Sequence, residues 1–495
     1  MMKSICLLLC LIAAQHACAF TLWGPVETWQ TTAMDYSNPA GIVSPRYYYW
    51  SVDTDTGLDF YENGTPKNFG EGSRLTTPIL TYGFDDSFLE YFGTKGVAAV
   101  ESAFAVLNAL PSASSANLTN FLTTSAQQIN YTAQALNLLD LKSTVLWMMV
   151  EHMGLLGETH VWDLLARQVI LAPCDIDYYV VNRNYDPGDY NPTPYVNGRL
   201  YGYKIWDGCA SGVAVGDAVE VTADTTAPRY TAVATGQGIQ FGGFYLGLTR
   251  DDMGGLQNLY RKGNYAYQAL DSNSVVTPFE SSWMPVNTTN VITGISNFAG
   301  LLGGVEKITF VKVNFDSVLN PGFTPVTYTY TVPYVTNYRL SQLKVTRTIT
   351  APDILFTAAD TLANTGAATA TIYPGPELPP IIRTGSFLAN PYAPLAPEVT
   401  PTTINPIMFI TNCNVGPIYF NANPSFMDSA DYFSYPLSNW GSFDGSTNPP
   451  VVFPDGFSLA ELESEVLQGG PTAPFNVWAP VLNNSTNTTT TTSVH

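Results

Sequence analysis

Charge is scarce in this 495-residue chain. Charged residues make up 12% of it, about half the usual share. The scarcity is also lopsided, with 20 Lys+Arg against 40 Asp+Glu and a net charge of −20. So acidic a chain is a poor match for a phosphate backbone, which excludes nucleic acid as the expected partner. Beyond the N-terminus, no uninterrupted apolar run approaches the ~20 residues of a membrane span. Histidine is rarer still, with four in all, and cysteine numbers six. What is abundant is apolar and aromatic: 45% hydrophobic residues, 29 Tyr and 25 Phe. That content excludes disorder throughout. It also means that Tyr, Thr and Asn, more than charge, must keep the surface polar. The 39 Gly and 35 Pro exceed ordinary usage without reaching low complexity. The length leaves room for about two to four domains.

Residues 1–19 read as a secretory signal. Lys3 supplies the charged start, Ile5 to Ala14 the apolar stretch, and Ala17-Cys18-Ala19 a small-x-small cleavage site. The mature chain is expected to begin at Phe20 and to be released to the extracellular side. Cys174, Cys209 and Cys413 remain after cleavage. In an oxidising compartment Cys174 and Cys209, close in sequence, are the expected disulfide, which leaves Cys413 free or intermolecular. Asn-x-Ser/Thr triplets occur at Asn63, Asn117, Asn130, Asn287, Asn483, Asn484 and Asn487. They matter only if the host glycosylates.

Periodicity predicts a strand at 78–84 and a helix over about 95–109, where Val97, Val100, Phe104 and Leu107 share one face. A second helix is expected over about 133–156, ending near Gly154 and Gly157. A third is expected over 159–171, stopping before Pro173. A fourth segment at 250–262 carries Asp251 and Asp252 in its first turn, where they suit the helix dipole. Beyond about residue 270 helical periodicity gives way to short alternating strands, such as Thr327 to Val332 with Tyr on one face and Thr on the other. The expected organisation is a signal at 1–19, an α+β domain at 20–270 and an all-β immunoglobulin-like sandwich at 271–375. A Pro/Asn-rich β module at 376–475 and a disordered Thr-rich tail at 476–495 complete it.

Chemistry concentrates in one stretch. After loss of the signal, His152 and His160 are the only internal histidines, within Val150-Glu-His-Met-Gly-Leu-Leu-Gly-Glu-Thr-His160. This segment resembles the His-Glu-x-x-His-x-x-Gly-x-x-His motif of metzincin metalloproteases. On that frame Glu151 matches the catalytic general base, Gly157 the turn glycine and His160 the third zinc ligand. Val150 and Gly154 stand where the first two ligands belong. Leu248-Thr-Arg-Asp-Asp-Met-Gly-Gly-Leu-Gln-Asn-Leu-Tyr260 resembles the last helix of matrixin-type domains. The resemblance implies a modified or inactive metzincin-like domain over 20–262, in which His152, His160 and Glu158 are the zinc candidates. On the plainer alternative, the helix ends at its glycines and His152 packs on an apolar face.

Asp53, Asp55 and Asp59 alternate around Gly57, a calcium-loop habit, or else a solvated turn. Asp175 and Asp177 lie beside Tyr178 near Cys174 and suit a strand face as well as acid–base work. The blocks Thr81 to Gly93, Leu248 to Tyr260 and Trp440 to Pro450 resemble those of large uncharacterised secreted bacterial proteins, a likeness that implies no function. No complete catalytic motif is present and no cofactor is expected, with zinc or calcium as the alternatives. The expected function is a secreted, non-enzymatic surface, matrix or adhesion-type protein meeting an extracellular protein or glycan, or itself. The alternative is a secreted zinc metallohydrolase acting on peptides.

Overall fold

The computed structural model describes residues 20–22, 42–43, 74–123, 127–156, 162–171, 175–182, 184–208, 215–222, 231–234, 239–270, 273–278, 295–296, 298–314, 324–336, 339–357, 371–374, 408–409, 415–419 and 439–467.

The strand expected at 78–84 forms as Ile79–Phe84. Its alternating bulky residues and its helix on one side suit the centre of a sheet. Thr309–Lys312 pairs with it on one flank and Ile354–Thr357 on the other, both parallel. Val415–Tyr419 continues the sheet in parallel, and Thr371–Pro374 closes it antiparallel. Asp85 then caps helix α1, Asp86–Asn108, by accepting the Phe88 amide. The helix starts earlier than its periodicity suggests. An aromatic first segment from Asp86 joins the periodic stretch across a kink at Gly93, whose φ is 56°. The aromatic face of α1 meets the sheet: Phe104 stacks on Tyr82 at 4.1 Å and Phe88 lies 4.9 Å from Phe84. These rings form the centre of the largest core.

The long helix expected over 133–156 is broken. Helix α2, Tyr131–Ala135, ends before Asn137, which takes a left-handed φ of 53°. Leu138–Asp140 then pairs in parallel with Asn439–Gly441. Helix α3, Leu141–His152, begins only after Asp140, whose carboxylate accepts the Ser143 amide at 2.9 Å. An apolar run such as Leu138 to Leu141 satisfies helix and buried strand alike, so the capping Asp decides where the helix starts. The helix expected over 159–171 is a strand, Trp162–Leu171, paired antiparallel with Asp175–Asn182. Its few apolar positions fit either period, and the Tyr/Val-rich partner supplies the hydrogen-bonding edge that decides it. Helix α4, Arg250–Tyr260, forms as expected with a Thr249/Asp252 capping box. Helix α5 spans Leu459–Leu467.

A seven-stranded sheet runs in the order Ile295–Ser296, Ser274–Pro278, Arg339–Ile349, Val326–Thr336, Ala299–Leu302, Ala266–Ala269 and Met408–Phe409, antiparallel except at the last pair. Strand pairing therefore crosses the boundary expected at 270. Thr309–Lys312 and Ile354–Thr357 join Ile79–Phe84, and Ala266–Ala269 belongs to the sheet built from later strands.

Buried arginines fasten the two sheets. Arg347 and Asp353 form a bidentate ion pair, with Nη1 3.1 Å from Oδ2. Asp353 also accepts the Thr81 amide at 2.8 Å and hydroxyl at 2.9 Å. Arg74 donates to the Leu259, Asn264 and Leu302 carbonyls and to Gln268 Oε1. Among the described residues, no helix is long and apolar enough to cross a membrane.

Arg347→Met leaves the Asp353 carboxylate buried without its counter-charge and is expected to cost about 3–5 kcal/mol. Lys312→Met, which breaks the exposed Lys312–Glu101 pair, is expected to cost less than about 1 kcal/mol. Urea unfolding of both variants checks the contrast, and equal losses would contradict it.

Candidate functional site

Glu151 and His152 sit in the last turn of α3, whereas Asp175 and Asp177 fall in the strand Asp175–Asn182. This helix is buried along nearly its whole length, including Val145, Leu146, Met149 and Val150. Val150, which occupies the first-ligand position of the metzincin frame, is a core residue. Glu151 and His152 fall at the rim, both half-buried. The chain turns at Gly154, with φ 107°, just past the helix. That positive φ closes the helix as a glycine readily does. Leu155–Leu156 then pairs antiparallel with Thr21–Leu22.

Glu151 lies one turn after Trp147, whose indole N–H donates to its carboxylate. Burial outweighs that bond and pushes the carboxyl up to about 8. His152 shifts the other way: burial pushes its imidazole down to about 4, against the helix C-terminus that would otherwise favour a cation. At neutral pH Glu151 is therefore largely an uncharged acid and His152 an uncharged base, on consecutive helix positions that do not face each other. Such a pair can exchange a proton with a bound group, and neutral imidazole can also ligate a metal.

One residue of α4 fixes this helix end and another fixes α4 itself. Tyr260, at the end of α4, donates its hydroxyl to the Met153 carbonyl at 2.6 Å and accepts the Leu75 amide at 3.1 Å. Asp252, completely buried, accepts the Val233 and Ala234 amides at 3.0 Å and 2.9 Å as well as the Thr249 amide and hydroxyl. It thus ties the 231–234 turn to α4, a larger role than that of a charge in the helix field. Burial raises its carboxyl despite these bonds. Asp140 does the same for the start of α3, accepting from Ser143 and from the Phe443 amide, with its carboxyl pushed up to about 6 by burial. Ser143 Oγ in turn accepts the Tyr245 amide at 2.9 Å. The Asp-x-x-Ser spacing at 140–143 carried that capping signal in the sequence, but its overlap with the apolar run masked it.

The remaining candidates, Glu158, His160, Asp53, Asp55, Asp59, Cys174 and Cys209, lie outside the described residues. Among the described residues no three His, Cys, Asp or Glu converge on a point where a metal would sit. No family model, curated protein or solved structure matches the chain.

Each shifted group makes stability depend on pH. Glu151 ionises near 4.5 when free and near 8 in the fold. Its favourable contribution is complete below pH 4.5 and is lost as pH rises toward 8. His152, depressed from 6.5, contributes fully above 6.5 and loses that contribution as pH falls toward 4. Glu151→Gln should therefore gain on the parent by about 1–3 kcal/mol between pH 4.5 and 8, and His152→Gln by a similar amount between pH 6.5 and 4. Chemical denaturation across pH reads both differences, and flat profiles would show that neither group is desolvated.

Proposed function

We propose that the chain is a secreted, non-enzymatic adhesion-type protein that meets an extracellular surface through one face of its antiparallel sheet. The observation that carries this reading is the pairing of Val326–Thr336 with Arg339–Ile349. Thr327, Thr329 and Thr331 are exposed along one strand, opposite Thr348, Thr346 and Lys344 of the other. The hydroxyls of Thr327 and Thr348 approach to 3.1 Å, and those of Thr329 and Thr346 to 3.4 Å. The opposite face is committed to the fold: Val332, Leu343 and Val345 are buried with Val276 and Leu302, and Tyr330 and Tyr334 pack against them.

The tyrosines singled out in the sequence thus contribute mainly to the inner face. Tyr328 and Tyr330 are half-buried there. The outer face is left to Thr. Alternating threonines stand about 6.8 Å apart along a strand and about 4.8 Å between strands, which gives a regular array of hydroxyls and methyls. In a chain of net charge −20, these two strands place no carboxylate on that face. An uncharged, hydroxyl-rich partner such as a glycan surface suits it, because the threonine hydroxyls beside the single charge of Lys344 ask for hydrogen bonds more than for counter-charge.

Glu151 and His152 favour a second reading, a zinc metallohydrolase on a modified metzincin-like scaffold. Its support is a half-buried carboxyl beside a neutral imidazole at the end of the motif helix. The two readings separate cleanly. In the first, the mature chain binds a glycan array in the presence of chelator, and Thr329→Asp/Thr346→Asp lowers binding about tenfold or more without unfolding, because carboxylates are introduced where none stood. In the second, the purified chain carries one zinc, lost in His152→Ala/His160→Ala, and cleaves peptides until Glu151→Gln is introduced. Chelator-sensitive cleavage with no surface binding would replace the first reading by the second.

A further inference from the structure

Phe20, the residue expected to become the N-terminus, is 1% exposed. Its N–H donates to the Tyr185 carbonyl at 2.9 Å, and its own carbonyl accepts the Tyr185 N–H at 2.9 Å. Its ring lies 6.1 Å from that of Tyr185 and 6.4 Å from that of Tyr190. On the remaining side is Gly255 of α4, where an added Cβ would stand 3.1 Å from Phe20 Cδ2 and 2.5 Å from Leu155 Cδ2. The absence of a side chain at 255 is what admits both. Thr21 Oγ1 donates to Asn184 Oδ1 at 2.6 Å in a buried contact. Thr21 and Leu22 then pair with Leu156 and Leu155, the residues that leave α3 just beyond Glu151 and His152. Three residues at the start of the mature chain therefore plug a cleft formed by the 184–190 turn, α4 and the exit of α3.

We infer that Phe20–Leu22 is an N-terminal plug whose docking shields the Ala19–Phe20 bond, so that a chain folding before processing is cut slowly. The inference rests on the secretion reading. In the hydrolysis, water adds across the amide: the C–N bond breaks, the hydroxyl goes to the Ala19 carbonyl carbon and the other proton to the Phe20 nitrogen, and the new carboxylic acid then passes its proton to the amine, which leaves a carboxylate and an α-ammonium. A signal peptidase must hold the residues on both sides of that bond extended in its own cleft. A Phe20 whose N–H and C=O are both bonded to Tyr185, and whose ring is enclosed, cannot be presented in that way unless the plug opens. After cleavage the terminal nitrogen keeps a donor for the Tyr185 carbonyl.

The test uses the full precursor, residues 1–495, once unfolded and freshly diluted and once refolded, each exposed to a purified signal peptidase in detergent. N-terminal sequencing is expected to find Phe20 in the first sample, with the refolded precursor cut at least about tenfold more slowly because cleavage requires local opening. A second measurement needs no folded precursor: aminopeptidase should leave the folded mature chain intact yet trim its Phe20→Ala variant. No cleavage at Ala19 in the unfolded sample would end the secretion reading. Equal cleavage of both samples, or trimming of the parent as fast as the variant, would overturn the plug while leaving secretion standing.

Discussion

The fold depends on one buried ion pair. Arg347 belongs to the seven-stranded sheet, whereas Asp353 leads directly into Ile354–Thr357 of the five-stranded one and also holds Thr81 of its central strand. A single guanidinium–carboxylate contact thus sets how one sheet hands the chain to the other. Buried ion pairs are weak evidence for stability but strong constraints on geometry, since neither charge can be left alone in the interior. In a chain with so few charges, Arg74 works instead through carbonyl and amide oxygens. It gathers the end of α4, Asn264, Gln268 and Leu302 around one guanidinium.

That scarcity of charge explains the surface as well. Two arginines, Arg74 and Arg347, are drawn inward, and the solvated face of the Val326–Thr336 and Arg339–Ile349 pair carries threonine hydroxyls with the single cation of Lys344. Antiparallel strands can keep one face wet while the other is packed, and these alternate over 327–332 and 342–349. The same alternation that buries Val332, Leu343 and Val345 presents Thr329 and Thr346 outward.

Buried carboxylates play the matching part around α3 and α4. Asp140 and Asp252 are hidden, yet each accepts several backbone amides, which holds turns far apart in sequence against a helix start. Among the described residues Glu151 has Trp147 alone to offset its burial, and His152 is likewise dominated by desolvation. This difference separates carboxylates that tie several backbone amides together from one that holds a single indole N–H.

The sequence by itself determined the strands whose alternation is strong, Ile79–Phe84 and Val326–Thr336, and the helices whose caps stand clear of other signals, above all α4 with Thr249 and Asp252. It also marked Glu151 and His152, because histidine is so rare. Only the tertiary structure decided that Leu138–Asp140 and Trp162–Leu171 are strands. Their apolar residues fit helix and strand equally, and the hydrogen bonds of a partner strand break the tie. Tertiary structure likewise decided which strands share a sheet across residue 270, and that Phe20 is enclosed. Pairing and enclosure depend on which surfaces meet after the chain has closed loops of many residues, and local spacing carries no record of that.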